Sequence, residues 1–191
     1  NLWTGGVTFT NLATGTNVDL TGNGSLTNGA FAYGYVSAAT ASTLDIIGGV
    51  TAGAVTETGT GLLTSTITST GAANTIGALG IAATVTALNI DATTNLTTGA
   101  ITSAEVATLT ITGAGNVDLN AGDLDASTIT VSAGTSTGDI DVAAGAVAEA
   151  TDPSTVDIAD ITITTGEGAD DVDVDQVVTG RELLINTGFG D

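Results

Sequence analysis

The chain has 191 residues, with one Lys or Arg against 21 Asp and Glu and no His, giving a net charge of −20. With almost nothing to neutralise phosphates, nucleic acid and anionic membrane surfaces are disfavoured as partners. Cys is absent, so disulfides contribute nothing, and no run of eighteen apolar residues predicts a membrane-spanning helix or direct membrane insertion.

From the N-terminus, the first apolar phrases are Val7-Thr8-Phe9 and, trailing it as the second phrase of its unit, Val18-Asp19-Leu20. Trp3, Phe9, Phe31, Tyr33 and Tyr35 place five of the six aromatics in the first thirty-five residues. Phe31, Tyr33 and Tyr35 alternate with small residues, so on a strand they form one stripe. Residues 1–43 are therefore expected to be an aromatic-containing cap or irregular first turns, blunting the end of a stack. The competing expectation is a subunit contact, since Tyr and Trp favour interfaces.

Leu44-Asp45-Ile46 opens a repeat that continues with Leu88-Asn89-Ile90, Leu109-Thr110-Ile111, Ile129-Thr130-Val131 and Ile161-Thr162-Ile163. A looser copy around Ile67 divides the first interval into steps of 23 and 21. A second phrase trails the first within each unit. Val117-Asp118-Leu119 follows Leu109-Thr110-Ile111, Ile140-Asp141-Val142 follows Ile129-Thr130-Val131, and Val172-Asp173-Val174 follows Ile161-Thr162-Ile163. Weaker third points are expected at Ile101 and Leu124. Alternation puts the aliphatic residues on one face and Thr or Asp on the other. Two or three short strands per turn of about 20–22 residues, separated by Gly, Asn and Asp, predict an all-β parallel β-helix, a β-solenoid over residues 44–191. The 27 glycines and single proline fit turns made by residues tolerant of positive φ. Pro153 lies in residues 145–156, read as a loop inserted into one turn. The start at Asn1 and a final motif broken at Asp191 predict a segment of a larger chain.

Residues 1–100 carry four acids and the remainder carry seventeen. A solvating coat would be spread evenly, whereas clustered carboxylates repel one another and divalent cations relieve that repulsion. Within this acidic half, Thr165-Gly166-Glu167-Gly168-Ala169-Asp170-Asp171-Val172-Asp173 resembles the calcium-binding nonapeptide of RTX proteins, G-G-x-G-x-D-x-U-x with U aliphatic. Thr187-Gly188-Phe189-Gly190-Asp191 begins the same phrase. Thr165 and Thr187 stand where the family has its first glycine. The resemblance implies Ca2+ held by Gly166, Gly168, Asp170, Gly188, Gly190 and Asp191 on successive turns. Gly113-Ala114-Gly115-Asn116 and Gly134-Thr135-Ser136-Thr137-Gly138-Asp139 occupy the same place in earlier turns, either as plain turns or as loops that have lost ligands.

The stretches from Ala107 to Leu119 and from Ser127 to Ala133 are similar to the lattice-forming region of RTX-type bacterial surface-layer proteins. The likeness covers residues 84–191 well and the first eighty loosely. It implies type I secretion, a place on the bacterial cell surface, and calcium-dependent self-assembly into a lattice or filament. Cell-surface polysaccharide is a further candidate partner. A calcium-rigidified stalk of a secreted RTX adhesin would share all of this except lateral assembly. An ice-binding solenoid needs an unbroken Thr-x-Thr column, which Leu44-Asp45-Ile46 and Leu88-Asn89-Ile90 interrupt. An enzyme is not expected: without His, Lys or Cys, nearly all nucleophile and base pairings are missing. The acid pairs Asp123/Asp125 and Asp139/Asp141 lack the aromatics and cations that hold a sugar.

Overall fold

The computed structural model describes residues 5–24, 27–121, 130–144, 161–174 and 183–189. These form twenty short β-strands and no helix. In chain order the first turn contributes β1 (Val7–Leu12), β2 (Asn17–Thr21) and β3 (Thr27–Asn28). Next come β4 (Phe31–Tyr35), β5 (Ala41–Ile47) and β6 (Thr51–Ala52), then β7 (Val55–Thr58), β8 (Thr64–Thr70) and β9 (Asn74–Ile76). They are followed by β10 (Leu79–Gly80), β11 (Ala87–Ala92) and β12 (Leu96–Gly99), then β13 (Ile101–Thr102), β14 (Thr108–Thr112) and β15 (Val117–Ala121). Last are β16 (Thr130–Ser132), β17 (Ile140–Ala144), β18 (Ile161–Thr164), β19 (Asp171–Val174) and β20 (Leu183–Asn186).

Strands stack into three parallel sheets, so the expected all-β parallel solenoid is the fold. The first sheet runs β1-β4-β7-β10-β13, and the second β2-β5-β8-β11-β14-β16-β18-β20. The third runs β3-β6-β9-β12-β15-β17-β19. Neighbouring strands in every sheet are one turn apart in sequence. A single turn therefore cannot cover its own apolar face, and each rung is sealed by the next.

The core is built of inward columns. Val7, Phe31, Val55, Leu79 and Ile101 align in the first sheet. Val18, Leu44, Ile67, Ile90 and Ile111 align in the second, and Leu96, Val117 and Ile140 in the third. Nearly all are fully buried; each aliphatic side chain so covered contributes about 1.5–3 kcal/mol. Phe31, Tyr33 and Tyr35 also point inward, with successive ring centroids 5.8 and 6.2 Å apart. The aromatic stripe is thus core, beyond the reach of a partner subunit. Phe9 is half-exposed and packs its ring on Phe31 at 5.9 Å.

Three expectations about register are corrected. Val18-Asp19-Leu20 belongs to the second sheet beside Leu44-Asp45-Ile46. Ile67 pairs with Leu44 on one side and Ile90 on the other, two steps of 23, so Leu44 shares a column with Ile90 and not with Leu88. Leu109 pairs with Val131, which offsets the Ile129 phrase from the Leu109 phrase by two. The last two share a cause: a shift of two residues leaves inward side chains inward, so alternation alone does not detect it.

The turn length also departs from the expected period at the start. Val18 pairs with Leu44, a step of 26, while Leu88 pairs with Leu109, a step of 21. Much of the variation lies at the corner joining the first and second sheets. Between aligned core columns, the step across this corner is 11 from Val7 to Val18, 13 from Phe31 to Leu44 and 12 from Val55 to Ile67. It falls to 11 from Leu79 to Ile90 and to 10 from Ile101 to Ile111. Val131 pairs with Ile163, a step of 32, which accommodates an insertion. The loop expected at 145–156, with Pro153, lies outside the described residues, as do Trp3, Leu124 and Ile129.

Eight polar side chains are buried among the described residues, and two of them, Asn74 and Glu57, carry the most hydrogen-bonding groups into the core. Asn74 occupies the corner before the third sheet, where its Oδ1 accepts from Gly49 N at 3.0 Å and Val50 N at 2.8 Å. Its Nδ2 donates to Ile46 O at 3.1 Å and Ser69 Oγ at 2.9 Å. All its hydrogen-bonding capacity is used, as burial requires. The other is Glu57 on β7, 2% exposed.

Candidate functional site

The loops singled out in the sequence all fall at one edge, the corner between the second and third sheets. Gly166, Gly168 and Asp170 connect β18 to β19. Gly188 follows β20, placed over Gly166, while Gly190 and Asp191 lie outside the described residues. The loop from Gly113 to Asn116 and that from Gly134 to Asp139 sit at the same corner on earlier turns.

Glycine is needed here because successive turns meet backbone to backbone. A Cβ on Gly166 would overlap the Ser136 carbonyl oxygen, and one on Gly188 would overlap the Gly166 carbonyl oxygen. Gly168 has φ of 136°, a conformation that L side chains rarely adopt. Close stacking therefore explains these glycines with or without an ion.

The corner side chains form a ladder that climbs from amide to carboxylate. Asn116 N donates to Asn95 Oδ1 at 3.1 Å, and Asp139 N donates to Asn116 Oδ1 at 3.1 Å. Asn116 Nδ2 donates to Asp139 Oδ2 at 2.8 Å, and Ala169 N donates to Asp139 Oδ1 at 2.8 Å. Ile140 N donates to Asp170 Oδ1 at 2.9 Å. Each rung thus caps a backbone donor of its neighbour. Asp139 has both oxygens engaged in this way, so the Asp139/Asp141 pair does not present two free carboxyls; Asp123/Asp125 lies outside the described residues.

Next to the ladder, Asp118, Asp141 and Asp171 stack in one column on the outer face of the third sheet. With rungs about 4.8 Å apart, each neighbouring pair repels by about 1 kcal/mol even at the dielectric of water. Asp173 of β19 adds a further exposed acid two residues on. Thr165, at the start of the Gly166 loop, is 1% exposed, and its Oγ1 is buried without a hydrogen-bond partner. It occupies the position where RTX loops have their first glycine.

The donor set is entirely oxygen (carboxylate, hydroxyl and carbonyl), which suits a hard cation such as Ca2+. Among the described residues, however, no three acids converge on one point as a ready cage. The Asn-to-Asp ladder was not anticipated from the sequence. Its signal was the recurring Asn or Asp just before three successive third-sheet strands, β12, β15 and β17, at Asn95, Asn116 and Asp139. Glu57 was missed as well, although Val55-Thr56-Glu57 places it in phase with an inward valine.

Compared with known proteins, the chain matches no family model, no curated protein and no solved structure.

Proposed function

We propose that this chain is a structural component of the bacterial cell exterior, a self-assembling surface-layer subunit ordered by calcium. The observation that carries the reading is the in-register column Asp118-Asp141-Asp171 beside the glycine corner of Gly166, Gly168 and Gly188. Repulsion accumulates there on a rigid edge, and a divalent cation at that edge converts it to cohesion. Gly166, Gly168, Gly188 and Gly190 would offer carbonyl oxygens, with Asp170 and Asp191 as carboxylate ligands. Asp170 retains a second oxygen besides the one accepting from Ile140 N. The role assigned is architectural rather than catalytic: the described residues form stacked parallel strands, and the chain has no His or Cys.

The test is a calcium titration against chelator, read by light scattering and circular dichroism. Large assembly triggered by calcium and reversed by chelator is the expected result. Ordering of a monomer without assembly would replace the lattice subunit by an adhesin stalk. No response to calcium would overturn the reading.

A further inference from the structure

Glu57 is the one charged side chain buried in the described core. It lies on β7 next to Tyr33 of β4 in the register of the first sheet. Its Oε1 accepts from Tyr33 Oη at 3.4 Å, from Ser65 Oγ at 3.0 Å and from Ser42 Oγ. Its Oε2 accepts from Ala82 N at 3.3 Å. The donors come from β4 and the segment after β10 on one side, and from β5 and β8 of the second sheet on the other. No cation stands among the described residues, so these donors are what make the buried carboxylate tolerable.

The first two sheets are tied here as well by Tyr35 Oη, 3.4 Å from Thr43 N and O, and β5 is tied to β8 by Asn74 Nδ2, which donates to the register partners Ile46 O and Ser69 Oγ. The corner between the two sheets varies from turn to turn, with steps of 11, 13, 12, 11 and 10 between core columns, so no fixed loop length imposes an alignment. Ser42-Thr43-Leu44 and Ser65-Thr66-Ile67 are near copies, and sliding β5 against β8 by two residues keeps the inward set inward. Ser42 and Ser65 are neighbours in the present register, which brings both hydroxyls to Glu57. A two-residue slip separates them and strands the carboxylate.

We propose that Glu57, with Ser42, Ser65, Tyr33 and Ala82 N, is a register lock that rejects two-residue slips of β5 against β8. Its value lies in specificity rather than stability: an apolar residue would pack there without choosing between registers. The lock acts in the acid-poor half of the chain and does not depend on calcium.

The chain has no Cys, so engineered pairs report register without background. Outward residues Thr43 and Thr66 are neighbours, and cysteines placed there cross-link in the present register. Cysteines at 43 and 64, or at 43 and 68, report slips of two residues either way. With Glu57 intact, the 43–66 pair cross-links and the slipped pairs do not. In Glu57→Ile, slipped cross-links rise several-fold while circular dichroism stays that of a β-solenoid. Glu57→Gln keeps the hydroxyl bonds but sets an amide against Ala82 N, and gives an intermediate share. Native cross-links alone in Glu57→Ile would overturn the proposal. Should Glu57→Ile fail to fold, native cross-links alone in Glu57→Gln, with an unchanged thermal midpoint, would do the same. Run in chelator, this outcome is independent of the calcium titration.

Discussion

At the scale of single residues, the side chains inside the solenoid feel a dry and negatively biased interior. The Tyr33 hydroxyl is pushed well above its ordinary value near 10, first by burial and then by the charge of Glu57. Tyr35 is raised as well, chiefly by burial. These are the two tyrosines of the chain. Because both folded values lie above the unfolded ones, their stabilising contribution is full below pH 10 and is lost as pH rises through the folded values. A tyrosinate absorbance titration should therefore show no tyrosine ionising near pH 10 in the folded chain, followed by a steep change as the fold opens. A smooth titration of one tyrosine centred on pH 10 would show that the stripe is not core. The signal for its burial was present in the alternation of Phe31, Tyr33 and Tyr35. Whether the stripe faced inward or outward depended on the rungs above and below it.

At the scale of the strand and corner, glycine sets how closely turns can stack. Gly166 lies under Gly188 and over Ser136 at distances that leave no room for a Cβ, whereas nothing lies within 4 Å of the Cβ position of Gly5. Gly166→Ala should cost about 1–3 kcal/mol by forcing the turns apart, while Gly5→Ala should change stability by less than about 0.5 kcal/mol. Denaturant unfolding of the two variants with calcium present and absent checks this. A loss is expected in both conditions, since the overlap is backbone against backbone, and a larger one with calcium, since the displaced loop would also forfeit the ion. A loss seen with calcium alone would instead make the glycine a feature of ion binding. The place of this corner was legible from the Gly-rich spacing. The hydrogen-bonded ladder through Asn95, Asn116 and Asp139 was not, because it joins residues a full turn apart in sequence.

At the scale of the whole molecule, the charge of −20 is distributed so that the strain grows toward the C-terminus. Rungs about 4.8 Å apart sit within the Debye length of roughly 10 Å at 0.1 M salt, so stacked acids are incompletely screened under ordinary conditions. Raising NaCl to about 0.5 M should strengthen the fold by shortening that length further. The gain should concentrate in residues 130–144 and 161–174, and hydrogen exchange resolved by peptide measures it. Equal gains across residues 31–99, where acids are few, would point to a general salt effect instead of relief of the stacked column.

Local chemistry determined that the chain is a stack of short parallel strands. Alternation of aliphatic and polar residues sorts side chains to two faces, and a unit of about twenty residues cannot cover its own apolar face. It also determined where acids accumulate. Tertiary structure alone decided the register, because a slip of two residues preserves every inward position and is invisible to a period of two. It likewise decided that β6 and β10, two residues each, are strands of real sheets, whereas Ile101 of β13 is already expected from the sequence as a third apolar point. Such short segments gain their conformation from neighbours a turn away and carry no pattern of their own. The environment of Glu57 belongs to the same class: its donors stand at positions 33, 42, 65 and 82, and only the winding of the chain brings them together.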